Sequence, residues 1–218
     1  MMNKRRFFLL PGLIFITCFV GFSQVKDNEL WSGATFKLDI NKDLRVDVEE
    51  QARFNNNISQ IKVLITEAGV LYDLNKRFRV KGSLRYSYLP GSHNKYRYTA
   101  DLIYEWSKKG FPLALKYRFR FQQSFEEHTR ESESYFRNRI SMDYNMTKFV
   151  DPYVSFEPYF KLNGFNEFTN YRFAIGLDWD IYKDLSLETF YMIENGFGEP
   201  NPKLSRILGL GLSYRMKL

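Results

Sequence analysis

The last fifteen residues, 204–218, constrain the fold more than any other stretch of the chain. Every second residue from Leu204 to Leu218 is large and apolar, except Arg206. The residues between them are mostly small or basic, with Ile207 as the exception. A period of two predicts a β-strand whose faces meet different surroundings, because successive side chains point to opposite sides. The last strand of a soluble barrel or sandwich is the alternative to a membrane strand.

This strand also resembles the C-terminal sorting signal of outer-membrane barrels, in which a glycine precedes spaced aromatic and apolar residues. Leu218 stands where that signal usually carries Phe or Trp. The resemblance implies a chain that finishes on its last barrel strand, and it implies the barrel-insertion machinery as a partner. The residues that match are Gly211, Tyr214, Met216 and Leu218.

The first 23 residues have the pattern of a cleaved signal peptide. Three basic residues, 4–6, precede an apolar run from Phe7 to Phe22, and Gly21 and Ser23 flank a small-x-small cleavage site. The run is short for a membrane helix, which needs about 20 residues. Apolar residues continue past Cys18, which argues against lipidation there. We therefore expect residues 24–218 to form one exported domain.

The exported part would have no disulfide and little net charge. Cys18 is the single cysteine, so stability must come from a closed sheet or a good core. Removing three basic residues from 32 leaves 29 against 25 acidic residues, a net charge of +4. This charge is too small and too dispersed to indicate nucleic acid as a partner.

Composition favours a transmembrane barrel over a helical membrane protein. Mean hydropathy is −0.42 and 26% of residues are charged, yet 18% are aromatic. A barrel accounts for these values, because alternate residues face lipid and aromatic girdles mark both interfaces. Outer-membrane lipid is therefore an expected partner.

Strand-like segments repeat along the whole chain at roughly 16–20-residue spacing. The clearest runs from Leu113 to Gln122, where the apolar residues all fall on one side and the basic ones on the other. Two positions break the pattern. Glu50 falls on the apolar side, so we expect either a bulge or a strand rising out of lipid there. Pro158 lies within a strand and indicates a bulge.

Eleven segments can be counted, but bacterial single-chain barrels have an even number of strands. We therefore predict an all-β, antiparallel up-and-down transmembrane barrel of about 10–12 strands. The connections alternate between mostly tight ones (such as 41–43 and 182–184) and mostly longer ones (such as 126–134 and 195–203). Tight periplasmic turns and longer outer loops are typical of outer-membrane barrels.

The chain resembles a family of uncharacterised exported β-barrel proteins of Gram-negative bacteria, domain of unknown function 2490. The matching features are the leader ending at Gln24, the opening Leu30-Trp-Ser-Gly33, the turn Asn41-Lys-Asp43 and the charged end of the second strand, Glu49 to Arg53. The resemblance covers residues 29–218. It implies an outer-membrane barrel and no particular chemistry.

A catalytic or metal site is not indicated. The two histidines, His93 and His128, fall in predicted loops, near Ser92 and Ser124 respectively. Sequence proximity in a loop does not make a catalytic triad, and no second histidine stands at metal-ligand spacing. Gly209 and Gly211 are two apart on a strand and are interpreted as lumen-packing glycines. We expect no enzyme activity and no cofactor.

The candidate site is the inward charge. Rings of Arg or Lys select anions in pores. A narrow interior, however, is usually filled by its side chains, and buried charges require partners. The sequence leaves open whether acids lie opposite the basic strip or away from it. The predicted basic strip is Arg79, Lys81, Arg85, Arg97, Lys116, Arg118, Arg120, Arg137, Arg139 and Arg172. The predicted lumen acids are Asp101, Glu105, Asp143, Glu157, Asp178, Asp180, Glu188 and Glu194.

Three function classes therefore stay open. The first is a non-enzymatic outer-membrane barrel, either a structural or interaction protein or a narrow pore that prefers a small anionic solute. The second is a barrel enzyme that acts on lipid or peptide at the outer rim, which requires a Ser–His hydrogen bond there. The third is a soluble periplasmic carrier of a small ligand, whose apolar residues would face inward.

Overall fold

The computed structural model describes residues 25–129, 131–162, 167–197 and 202–218, and every regular element in them is a β-strand. The predicted leader, residues 1–23, and the predicted loop 163–166 lie outside these ranges. The strands are β1 Val25–Asp39, β2 Leu44–Asn55, β3 Gln60–Asp73, β4 Phe78–Tyr88, β5 Lys95–Ser107, β6 Leu113–Glu126, β7 Ser132–Tyr144, β8 Val150–Lys161, β9 Glu167–Tyr182, β10 Leu185–Gly196 and β11 Lys203–Lys217.

The eleven strands form one closed barrel in which each strand pairs with its neighbours in sequence. These ten pairs are antiparallel. β1 and β11 close the barrel as a parallel pair, from Val25 opposite Lys203 to Asp39 opposite Lys217. The predicted all-β, antiparallel barrel of 10–12 strands is thus confirmed, with this seam as the one parallel pair among the described strands. In an up-and-down barrel with an odd number of strands, the first and last strands run in the same direction, so they pair in parallel.

The period-two pattern resolves into an apolar outer face and a mainly polar inner one. On β11, Leu208 and Leu210 are 53% and 47% exposed, whereas Ser205 and Ile207 are 5% and 0% exposed. The same alternation holds around the barrel, with apolar side chains outward and charged ones inward. This orientation is the reverse of the one that a soluble carrier with an apolar interior requires.

Side-chain oxygens organise three connections at one end of the barrel. Asn41 Oδ1 accepts hydrogen bonds from the amides of Asp43 and Leu44, both at 2.9 Å. In the second connection, Asn75 Oδ1 accepts hydrogen bonds from the backbone amides two and three residues later in the chain. Thr147 Oγ1 accepts from the amides at the same two positions in the third connection. These side chains satisfy amides that the sheet leaves free, which explains why short polar residues begin these turns.

The two ends of the barrel differ in their connections. One end, here called the turn end, carries the connections 40–43, 74–77, 108–112, 145–149 and 183–184. The other, called the loop end, carries 56–59, 89–94, 127–131, 162–166 and 197–202. The difference in length is smaller than predicted, because strands extend into the predicted loops. β6 reaches Glu126 and β7 begins at Ser132, so four of the nine residues of the predicted loop 126–134 are strand.

Register shifts fall close to one predicted bulge and away from the other. At Glu50 the pairing is regular on both sides, and Glu50 faces outward, where its carboxylate accepts a hydrogen bond from Thr66 Oγ1 at 2.9 Å. The expected bulge there is wrong. The shift in β2–β3 lies between Arg53 and Phe54. Near Pro158 the β8–β9 register shifts between Tyr159 and Phe160, as the proline predicts to within two residues.

In the part of the chain that the structure describes, we find no helix of the length and apolar character needed to cross a membrane.

Candidate functional site: the charged lumen

The loop end of the lumen is closed around one buried carboxylate. The Glu29 side chain is 0% exposed and accepts hydrogen bonds from Lys62 Nζ (2.8 and 2.9 Å), Lys203 Nζ (3.2 Å), Ser205 Oγ (2.9 Å) and Trp31 Nε1 (3.1 Å). Lys62 is the extra residue at the β2–β3 register shift. A bulge changes the direction of the side chains next to it. This explains why Lys62 points inward although the alternation along β3 would place it on the outer face.

A small apolar cluster lies at this same loop end. Trp31, Ala174, Met192 and Ile207 are all buried against one another, and Phe190 packs on them. The phenyl ring of Phe190 covers Gly209, where any Cβ would lie inside the ring's van der Waals radius. The lumen is therefore not polar throughout, and its loop end is filled.

The middle of the lumen holds a cavity of about 190 Å³, here called the central cavity. Its wall carries two glutamates, Glu157 and Glu188, and eight arginines. The arginines are Arg53, Arg85, Arg97, Arg118, Arg120, Arg137, Arg139 and Arg172.

Five of these arginines have carboxylate partners. The pairs Arg85–Glu67, Arg120–Asp101 and Arg172–Glu194 have shortest N–O distances of 2.5, 2.6 and 2.6 Å. The Arg120 pair is bidentate, with a second hydrogen bond of 2.7 Å. Arg118 and Arg137 share the carboxylate of Glu157, at 2.5 and 2.8 Å.

Three arginines of the wall, Arg53, Arg97 and Arg139, have no carboxylate within 4 Å among the described residues. Arg53 donates to Gln51 Oε1 at 2.6 Å and stacks on the Trp31 ring at 3.6 Å. Arg97 donates to Ser124 Oγ at 3.0 Å. The Nε of Arg139 is buried without a hydrogen-bond partner.

The space continues toward the turn end. A second cavity of about 260 Å³ shares Arg118, Arg139, Tyr153 and Glu188 with the central cavity. Its other lining includes Arg79 and Asp178, which lie on the strand halves next to the turn end. A third cavity, of about 290 Å³, also lies toward that end and shares Gln51, Glu188 and Phe190 with the central one.

Tyr153 separates two of these spaces. Its ring lies over Gly176 of the neighbouring strand, with Cε1 at 2.6 Å from the position that a Cβ would take. Its hydroxyl thereby reaches Glu188 on the next strand but one and donates to Oε1 at 2.5 Å. A glycine on the intervening strand makes this crossing sterically feasible.

The family model described as "Protein of unknown function (DUF2490)" matches residues 28–204. The chain belongs to this family. The DUF2490 match begins near the start of β1 and ends near the start of β11. It therefore includes every arginine of the central cavity. No curated protein matches the chain.

The predicted basic strip and the predicted acids interleave in this DUF2490 barrel. The members of the two predicted sets that pair with each other are Arg79–Glu105, Arg120–Asp101, Lys116–Asp143, Arg172–Glu194, and Glu157 with both Arg118 and Arg137. Lys81 and Arg85 instead pair with Asp47 and Glu67. Among the described residues, Arg97 and Arg139 have no acid within ion-pair distance. Asp178 and Glu188 line the turn-end cavity, and Asp180 lies exposed near the end of β9.

Sequence reasoning missed several inward residues. Arg53 lines the lumen but is absent from the predicted basic strip, and the inward aromatic residues Tyr153, Tyr159 and Phe190 are absent from the predicted lumen residues. Parity alone would have found them. Tyr153 and Tyr159 lie at positions that alternate with the outward Val154 and Phe156. Because aromatic residues are expected on the outer face of such a barrel, their residue type did not indicate an inward position.

The loop-end histidines approach each other across two connections. The rings of His93 and His128 are 6.4 Å apart between centroids. Within the described ranges, neither is hydrogen-bonded to a serine, and no group of three or more His, Cys, Asp or Glu side chains has metal-binding geometry. The rim enzyme therefore stays an alternative, without a supporting contact among the described residues.

The residues of the predicted sorting signal take the positions that the pattern implies. Tyr214 and Met216 face outward at 48% and 42% exposure, and Tyr214 stacks on Phe36 across the seam at 6.1 Å. Gly211 faces the lumen, within ordinary contact distance of Glu188. Leu218 donates its amide to the Asp39 carbonyl at 3.1 Å. Sorting itself stays a prediction.

Proposed function

We propose that the chain is an integral outer-membrane β-barrel. The observation that carries this proposal is the two-faced wall, in which large apolar side chains cover the outside while charged side chains fill the inside. In water this arrangement would expose far more apolar surface than soluble monomers tolerate. In a bilayer the same face contacts lipid, and the closed sheet satisfies its backbone hydrogen bonds internally.

Outward aromatic pairs near the strand ends support the same proposal. Tyr86 and Tyr96, next to the loop end, have ring centroids 5.3 Å apart. Phe78 and Tyr104, next to the turn end, have theirs 5.0 Å apart. Aromatic girdles at both interfaces are typical of outer-membrane barrels.

We propose further that the lumen does not allow free diffusion, and that the barrel acts mainly as a structural or interaction protein. Ion pairs between adjacent or next-but-one strands line the interior at several heights, and the Glu29 network with its apolar cluster fills the loop end. Narrow barrels are commonly filled by their own side chains in this way.

The second candidate function is a narrow path for small anions. The specific observation that favours it is the excess of arginine over carboxylate around the central cavity. Basic residues along a constriction prefer anions. Opening such a path would require the loop-end cluster to move.

The experiment is single-channel recording of the exported, purified protein in planar bilayers, together with heat-modifiable gel mobility. Mobility that changes on boiling, with bilayer insertion and no conductance, is the expected result. Discrete anion-selective steps reduced by Arg118→Ala or Arg120→Ala would favour the anion path instead. Failure to insert would overturn the membrane proposal.

A further inference from the structure

The central cavity contains positive charge that the described residues do not neutralise. Arg53, Arg97 and Arg139 line this one space, and none of them has a carboxylate within 4 Å among the described residues. Glu157 is shared by two other arginines, and Glu188 accepts a hydrogen bond from the hydroxyl of Tyr153, which carries no charge. The eight arginines of the wall thus face five carboxylates, which leaves an excess of three positive charges; the five are Glu67, Asp101, Glu157, Glu188 and Glu194.

Arginine leaves the protein no internal way to remove this charge. A buried lysine or carboxylate can change its protonation state, whereas a guanidinium stays protonated in proteins. Like charges enclosed in a medium of low dielectric constant repel each other more strongly than in water. A mobile anion in the cavity would remove that repulsion and supply acceptors for donors such as those of Arg139, whose Nε has none.

The cavity also fits one class of anion better than others. Guanidinium groups present planar pairs of donors that match the oxygens of phosphate and carboxylate. A space of about 190 Å³ holds a small ion with some water and excludes a large chain molecule. Three uncompensated charges favour a multivalent ion over a monovalent one.

We propose that the central cavity is a binding site for a small multivalent oxyanion of the phosphate or sulfate class. The ion enters from the turn end, because the adjoining 260 Å³ cavity lies on that side while the Glu29 network and the Trp31 cluster fill the other. Arg53, Arg97 and Arg139 provide the uncompensated charge. This inference deepens the second candidate function, but binding requires neither flow through the barrel nor a membrane.

The test is a titration of the exported, purified protein in zwitterionic detergent with inorganic phosphate. Trp31 is the reporter, because it lines the cavity and stacks under Arg53, and Trp106→Phe with Trp179→Phe removes the other two tryptophans. We expect a saturable change in Trp31 emission and a melting temperature that rises with the logarithm of phosphate concentration. Sulfate should act similarly, and sodium chloride at equal ionic strength should not.

Two variants and a matched control locate the effect. Arg97→Gln and Arg139→Gln should each weaken phosphate binding at least tenfold, and each should raise the melting temperature without phosphate, because repulsion falls. Arg77→Gln removes the same charge from the exposed connection 74–77 and should leave binding unchanged. If Arg97→Gln does not fold, Arg97→Lys is the substitute variant. It keeps the positive charge but loses the paired donors of the guanidinium group, so it should still weaken phosphate binding.

Three results would overturn the proposal: no saturable response to phosphate or sulfate, an equal response to chloride, or equal weakening by Arg77→Gln. Because the titration is done in detergent, a chain that fails to insert into bilayers can still bind phosphate. A chain that inserts and binds no oxyanion would contradict this inference alone and leave the membrane proposal intact.

Discussion

Gly209 shows how a single small residue lets a large side chain lie flat inside the barrel. Any Cβ at this position would overlap the Phe190 ring, whereas a Cβ at Gly82, on the outer face of β4, would have no atom within 4 Å. Gly209→Ala should therefore lower the free energy of unfolding by about 1–3 kcal/mol, the usual cost of overpacking.

The measurement is urea unfolding of the folded barrel in lipid or detergent. Gly82→Ala is the control and should be neutral or slightly stabilising. Adding Phe190→Leu to Gly209→Ala should restore much of the loss. A Gly209→Ala variant as stable as the parent would contradict the packing described for this position.

Glu29 is the residue on which the loop-end closure depends. Replacing it with Gln leaves Lys62 and Lys203 close together without their shared carboxylate. Removing one partner of a buried ion pair costs about 3–5 kcal/mol. Glu105→Gln breaks the more exposed pair with Arg79 and should cost about 1 kcal/mol or less. Equal losses in the two variants, measured by urea unfolding, would show that burial of Glu29 does not matter.

At the scale of the element, the seam between β1 and β11 distinguishes this barrel from an even-stranded one. At the turn end of the seam, the Asp39 carboxylate forms salt bridges with Arg215 on β11 (2.7 Å) and with Arg45 on β2 (2.6 Å). At the loop end, Lys203 on β11 reaches Asp27 on β1 at 2.9 Å. Salt bridges thus hold both ends of a parallel pair, which is slightly less stable per residue than an antiparallel one.

Cysteine cross-linking tests the seam register. Ala34 and Leu212 are paired outward residues of β1 and β11, so Ala34→Cys with Leu212→Cys should form a disulfide on mild oxidation. The protein has no other cysteine beyond Cys18 of the predicted leader, which gives a clean background. Ala34→Cys with Leu208→Cys lies four residues out of register and should stay reduced. Mobility on non-reducing gels distinguishes these outcomes.

The sequence predicted individual strands much better than it predicted their closure. The alternation from Leu113 to Gln122 was predicted correctly, because every residue of this stretch except the small Ala114 carries the polarity of its face. The inward turn of Lys62 was not predictable, since a register shift depends on two strands together. The parallel pairing of β1 with β11 was also not predictable, because an alternating strand with an apolar outer face can pair with a parallel or an antiparallel neighbour.

At the scale of the whole molecule, Glu50 tests whether the outer face meets lipid. Its outward carboxylate has Thr66 as hydrogen-bond donor and stands midway along β2. Charged groups on a lipid face are destabilising, acidic ones less so than basic ones. Glu50→Leu should therefore raise the free energy of unfolding in lipid vesicles by about 1–2 kcal/mol. Glu131→Leu, in the connection 127–131, is the control and should change it little. Unchanged or lower stability for Glu50→Leu would argue against a bilayer around β2.

The odd strand number places the start of β1 and the end of β11 at opposite ends of the barrel. β1 starts at the loop end and β11 finishes at the turn end, because the two strands run in parallel. In a membrane, a domain fused ahead of Val25 and a domain fused after Leu218 would lie on opposite sides of the bilayer. With the turn end in the periplasm, intact cells should bind an antibody to an epitope ahead of Val25 and ignore the same epitope after Leu218. In that orientation, a fused domain could be displayed on the cell surface only through the β1 end of the barrel.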